Sequence, residues 1–388
     1  MRQQCGFCID SEGAEALMRV LHLVSEMTWR GGENQLRLLL EHTQPGICQW
    51  FVAAPPGSAG SERLASFATL YELPLRSWQG LSALPSLLTI IDREGIQLVD
   101  CQSSRAHNIG LAMKYLRPEL KLVVHRRVDY PPGSSWFNRR KYLSSRVDRY
   151  ICISAAIAAL LRAYGIEEKK LRLVPSAVDA RPFQSVDRLA ARQKFYADMG
   201  LPSEVPVIGN VAYLTEQKDH ATLLRALAIL RQRKLDFFCF IAGAGALEAE
   251  LKTLAQNLDL GPRHIRFLGV RTDIPELLAA ASIFALSSRD EGLGTSLLDA
   301  VHSGCTLVAT AVGGIPEIVI PEQTGLLAPA GDAETFAAQL ERLLGDTALR
   351  QSLGAAASQH VNTHFSLSNM VEGNLAVYRE LLGQSPPR

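Results

Sequence analysis

The chain has 388 residues, enough for two domains with separate cores. Hydrophobic residues make up 47% and charged residues 20%, and 40 Lys and Arg against 39 Asp and Glu leave a net charge of +1, which gives no reason to expect bulk nucleic-acid binding. No apolar run approaches the roughly 18 residues that span a bilayer, and the N-terminus lacks the basic start and apolar core of a secretion signal.

Residues 1–17 read as a loose extension without a function of its own. Cys5 and Cys8 lie in it as a Cys-x-x-Cys pair, but no second pair or histidine follows at zinc-finger spacing, so no metal or redox role is expected. Cys48, Cys101, Cys152 and Cys239 sit in or beside apolar runs, which suggests reduced thiols in a cytoplasmic protein.

Predicted strands of the first half are Val20–Val24, Gln49–Ala53, Leu98–Cys101, Lys121–Val124 and Tyr150–Ile153. A second series follows at Pro206–Val211, Phe237–Ala242, Ile265–Leu268, Ile283–Leu286 and Leu307–Thr310. Helical patterns such as Gln35–Glu41 and Ala221–Arg231 lie between them. This alternation predicts α/β architecture, with two parallel sheets covered by helices on both faces. The breakers in Asp179–Pro206 place the domain boundary there. The expected division is therefore 18–182 and 183–364, followed by a helix in 365–388.

Several turns along these elements suit a ligand. Trp29-Arg-Gly31-Gly32-Glu follows the first strand and opens a helix, where backbone N–H groups can approach an anion; a plain strand–helix turn has the same glycines. Lys121–Arg149 carries eight Lys or Arg and two Asp, with Trp136-Phe137 between the clusters. That pattern fits a membrane surface or an anionic lipid-linked molecule, and equally a solvated helix. Gly243-Ala-Gly245 closes the strand Phe237–Ala242, as many parallel units do. The sharpest stretch is 287–317. Glu291 and Asp299 lie eight apart around Gly292 and Gly294, a helix is predicted over Thr295–Ser303, and Gly313-Gly314 follows the next strand. Two glycine turns flanking one strand–helix unit suit a ligand held at strand carboxyl ends, with both acids able to face it.

The run Glu-Gly-Leu-Gly through Asp299 to Gly-Gly-Ile-Pro-Glu resembles the donor-binding signature of glycosyltransferase family 4, retaining enzymes of the GT-B fold. The second acid is Asp299 where the family usually has Glu. The resemblance spans nearly all of 18–382 and implies two Rossmann-like domains with a cleft between them and a C-terminal helix crossing back. It implies a nucleotide-diphosphate sugar as co-substrate, a UDP-sugar being favoured, with no other cofactor and no metal. Glu291 would bind hydroxyls of the transferred sugar and Asp299 those of the ribose. Backbone groups of Gly292, Leu293, Gly294 and Thr295 would face the leaving diphosphate, as would Gly31 and Gly32 from the other side. Gly243 and Gly245 would lie near the nucleotide, and the strand around Phe267 would hold the base. Lys218 occupies the family's diphosphate-binding Lys position, whereas Tyr213 stands where an Arg is expected. A phenol supplies no charge, so Arg289, or the helix dipole with Lys218, would have to compensate. His125 ends its strand where many members place a sugar-contacting His, with His107 a rival nearby.

The function so implied is retaining sugar transfer to a cell-envelope glycan or glycolipid by a cytoplasmic enzyme, with peripheral contact to the inner membrane. Two alternatives remain from sequence: a nucleotide-sugar binder with reduced turnover, suggested by Tyr213, and a sugar-nucleotide epimerase or phosphorylase on the same architecture.

Overall fold

The computed structural model describes residues 17–76 and 82–384, so Cys5, Cys8 and nearly all of the N-terminal extension lie outside the described residues. The chain builds two all-parallel sheets. The first contains β1 (Met18–Leu23), β2 (Cys48–Ala54), β3 (Thr69–Glu72), β4 (Leu98–Cys101), β5 (Lys121–Arg126), β6 (Arg149–Cys152) and β7 (Leu171–Leu173). Its order is β3-β2-β1-β4-β5-β6-β7. The second contains β8 (Val207–Val211), β9 (Phe238–Ala242), β10 (Ile265–Gly269), β11 (Ile283–Leu286), β12 (Thr306–Thr310) and β13 (Gly325–Ala328), in the order β10-β9-β8-β11-β12-β13.

Central strands such as Phe238-Cys-Phe-Ile-Ala are buried along their whole length, because helices cover both faces. Each sheet reverses its strand order once, between β1 and β4 and between β8 and β11. Ligands of doubly wound sheets bind at the carboxyl ends beside such a reversal. Those two crevices face each other here: the carbonyl of Arg127, just past β5, would lie 2.4 Å from a Cβ on Gly292, just past β11. The two domains meet through their strand carboxyl ends.

The helix Leu367–Leu382 returns to the first domain. Its Met370, Val371, Leu375 and Tyr378 pack with Val20, Leu36, Leu39 and Val52 in one core. Glu380 closes the contact by pairing with Arg149 at 2.5 Å and Arg172 at 2.6 Å. A Cβ on Gly373 would sit 2.8 Å from Val174, so that position keeps the helix close to the sheet.

Candidate active site

The loop after β8 and the loop after β11 converge at the second reversal. Lys218 ends a short turn, Glu216–Lys218, and its ammonium pairs with the Glu291 carboxylate, which also accepts from Ser288 Oγ at 3.2 Å. Both side chains are largely shielded from solvent, so the pair keeps a carboxylate and a cation poised in the cleft. The backbone around them is tightly built. Glu291 N–H donates across the cleft to Asp129 at 2.5 Å, and Gly314 N–H donates to the Glu291 carbonyl at 3.0 Å. A Cβ on Gly313 would meet that carbonyl at 1.8 Å, and one on Gly314 would meet the Gly292 carbonyl at 2.5 Å. These contacts require glycine.

Gly294, at φ 89°, opens the helix Thr295–His302 with no side-chain cap. Leu297 N–H already donates to the Gly294 carbonyl at 2.9 Å, which leaves the Thr295 and Ser296 N–H groups to meet an anion, with the helix dipole in support. Leu293 is buried beneath the turn. Asp299 lies within that helix, partly buried, and its carboxylate has no hydrogen-bond partner among the described residues. Burial alone pushes its carboxyl up to about 7.

Other expected residues take less direct places. Arg289 is held by Asp219 at 2.9 Å and is largely exposed, so its charge is already partnered. Tyr213 is 60% exposed on the loop after β8. Gly243 and Gly245 have a structural reason of their own: a Cβ would lie 1.9 Å from the Ala212 carbonyl and 2.2 Å from that of Leu214. They let the loop after β9 press on the Tyr213 loop. Phe267 lies half-buried on β10, at the edge of that sheet.

In the first domain, Gly31 starts the helix Gly31–His42, whose Glu33 carboxylate returns to the Arg30 N–H at 3.0 Å. Nothing crowds Gly31, whereas a Cβ on Gly32 would be 3.3 Å from the Arg127 side chain. His125 Nε2 is 2.9 Å from Asp100 Oδ2. His107, its rival, is sealed between Tyr142 and Tyr150, with ring centroids 5.1 and 5.9 Å away, and is a core residue.

Three residues to which the sequence alone assigned no role join the domains, Glu317 among them although it closes the Gly-Gly-Ile-Pro-Glu motif. Asp129 receives the Glu291 N–H. Glu317, from the second glycine turn, accepts from the N–H groups of Ala155 and Ala156, at 2.9 and 3.1 Å, and so caps a helix of the other domain. Arg127 lies between Gly32 and Gly292 and donates to Gln102 at 2.9 Å. An acid in a turn gives no local sign that its partner lies on another domain.

Comparison with known proteins agrees with the two-domain architecture. The model of Glycosyltransferase Family 4 matches residues 29–181, and that of Glycosyl transferases group 1 matches residues 191–360. The chain belongs to glycosyltransferase family 4. The enzyme is 27% identical over 263 residues to lipopolysaccharide core biosynthesis glycosyltransferase LpsE of Rhizobium meliloti (strain 1021), covering 68% of this chain and 70% of the relative. It is 32% identical over 211 residues to a GDP-mannose-dependent monoacylated alpha-(1-6)-phosphatidylinositol monomannoside mannosyltransferase of Corynebacterium glutamicum, spanning about half of each chain (51% and 53%). Among solved structures, a glycosyltransferase from Rickettsia africae ESF-5 superposes with a TM-score of 0.83 at 22% identity, covering 96% of this chain and all of the other. Anabaena Alr3699/HepE in complex with UDP gives 0.82 at 19% identity, covering 94% of this chain and 100% of the other. These likenesses establish the two-domain GT-B fold of the enzyme. Among the described residues, no helix is long and apolar enough to cross a membrane, and no group of three or more His, Cys, Asp or Glu is placed to hold a metal ion.

Proposed function

We propose that this glycosyltransferase moves a sugar, with retention, from a nucleotide-diphosphate sugar to a cell-envelope glycan or lipid-linked glycan. The observation that carries this is the Lys218–Glu291 pair at the strand reversal, beside the uncapped N-terminus at Gly294. On binding, Lys218 leaves Glu291 for the diphosphate, and Glu291 turns its freed acceptors to the sugar hydroxyls. The bond from the anomeric carbon to the diphosphate oxygen breaks as the acceptor oxygen attacks from the same face. The acceptor proton passes to the leaving phosphate oxygen, so no protein nucleophile takes part. First-turn amides and Lys218 stabilise the growing negative charge, each well-placed donor contributing roughly 3 kcal/mol.

The structure of HepE with UDP-glucose supports a UDP-sugar as donor, and the LpsE resemblance supports an envelope acceptor. Peripheral membrane contact is supported by Trp136 and Phe137, which pack on each other at 5.1 Å yet are 62% and 76% exposed beside Arg139 and Arg140. Lys141 adds little there, because its ammonium is tied to Ser104 Oγ at 2.9 Å and burial lowers its pKa to about 8. A second reading, a nucleotide-sugar binder without turnover, draws on Tyr213 and on the commitment of Arg289 to Asp219. Turnover of a UDP- and GDP-sugar panel, with Glu291→Ala as control, separates the two. Transfer or hydrolysis that disappears in the variant supports catalysis; binding without turnover across the panel supports the binder.

A further inference from the structure

Behind the cleft, the first domain buries a polar cluster that ligand binding alone does not explain. Asp100 on β4 is fully buried, and its Oδ2 accepts from His125 Nε2 at 2.9 Å and from the hydroxyl of Tyr378. Tyr378 lies 278 residues further along the chain, on the returning helix Leu367–Leu382. His22 Nδ1 is 3.6 Å from the same oxygen but is engaged by Gln102 Nε2 at 3.3 Å, while Gln102 Oε1 accepts from Arg127 Nη2 at 2.9 Å. That amide orientation makes His22 Nδ1 an acceptor, so it cannot also donate to Asp100. His125 and Tyr378 are then the two donors that hold this carboxylate.

The arrangement fixes the tautomer of His125. An ionised Asp100 only accepts, so His125 carries its proton on Nε2 and leaves Nδ1 as an acceptor. Nδ1 is buried and has no partner among the described residues. The His125 side chain borders a cavity of about 10 Å3 that Arg127, Gln102 and Asn374 of the returning helix also line. Arg127 in turn touches both glycine turns of the cleft, at Gly32 and Gly292. The cluster therefore adjoins the site and is built partly from the far end of the chain.

We propose that Tyr378 is a positioning residue for sugar transfer: through Asp100 it fixes the tautomer and ring orientation of His125, so His125 presents Nδ1 to the donor sugar only when the C-terminal helix is docked. The proposal rests on the reading that His125 faces the donor. Tyr378→Phe is the sharpest probe, because the ring keeps its packing against Trp50 and His22, at centroid distances of 6.3 and 6.4 Å. Loss of the hydroxyl leaves Asp100 with one donor, so its charge acts more strongly on His125 and favours the imidazolium. The groups facing His125 are Asp100, Arg127 and His22, and only the first loses a bond in this variant.

The test combines selectively labelled histidine NMR with steady-state kinetics on full-length protein, using UDP-glucose and GDP-mannose as donors. In Tyr378→Phe the His125 titration midpoint should rise and kcat should fall about tenfold, with donor KM within about twofold and thermal unfolding nearly unchanged. Asp100→Asn should cost more and alter the His125 tautomer. A Tyr378→Phe enzyme with parental kcat and a parental His125 midpoint and tautomer overturns the relay. If His125→Ala turns over normally, the donor role of His125 fails and the relay falls with it. If His125→Ala is inactive while Tyr378→Phe is parental in both ring and rate, the relay alone fails.

Discussion

Replacing Asp299 with Asn should stabilise the free enzyme and weaken its hold on nucleotide. Asp299 sits in the second turn of Thr295–His302 without a hydrogen-bond partner among the described residues, and burial lifts its carboxyl from 3.8 to about 7. A group whose pKa is raised on folding contributes stability that is complete below about pH 4 and lost as pH climbs through 7. The full displacement corresponds to roughly 4 kcal/mol. Asp299 keeps some solvent access, which screens the charge, so about 1–3 kcal/mol is the working figure. Urea unfolding of parent and variant at pH 5 and pH 8 measures this directly. The variant should gain stability at pH 8, and the gap should shrink at pH 5. Calorimetric titration with UDP at pH 8 should show affinity lower by about tenfold or more, because an amide replaces a charged acceptor for a diol. An Asp299→Asn protein that is less stable at pH 8, or that binds UDP as tightly as the parent, refutes the reasoning.

Gly292→Ala places a Cβ 2.4 Å from the Arg127 carbonyl, so the domains should part slightly; turnover should fall by about 10²-fold while each domain stays folded, as read by kinetics and by small-angle scattering. Tyr213→Arg should tighten UDP binding by about tenfold through a charge-assisted bond, and unchanged affinity would mean that the site already has enough cation. Trp136→Ala with Phe137→Ala should lower partition onto anionic vesicles by about tenfold without changing Tm; unaltered partition counts against membrane contact through this patch. His22 and His220 are both held neutral by burial, down to about 4, so each takes up to roughly 3 kcal/mol from stability as pH falls from 6.5 to 4. His220→Gln should flatten the acid limb of the urea midpoint relative to the parent, a comparison in which the opposite contribution of Asp299 cancels.

The alternation of strands and helices was plain in the sequence because central strands are continuous apolar runs; Leu98–Cys101 and Ile283–Leu286 needed no adjustment. The strands that escaped notice, Thr69–Glu72, Leu171–Leu173 and Gly325–Ala328, all lie at sheet edges. They are three or four residues long, and the first two are only partly covered, so no apolar run marks them. The donor loop was legible for a different reason: Gly313 and Gly314 are demanded by contacts with the Glu291 and Gly292 carbonyls of the same strand–helix–strand unit, and Gly294 by its left-handed backbone. Asp129, Glu317 and the pairing of Asp100 with Tyr378 were not, because each acts on a partner brought near only by tertiary structure.

The central claim is that the amides beginning at Gly292, with Lys218, Glu291 and Asp299, clasp a sugar diphosphate. A crystal of the enzyme with UDP-glucose tests it most directly. The diphosphate should lie on the N-terminus of Thr295–His302 with Lys218 moved from Glu291 onto a phosphate oxygen, the hexose against Glu291 and the ribose against Asp299. A fully occupied nucleotide bound elsewhere, with the Lys218–Glu291 pair intact, would contradict the account.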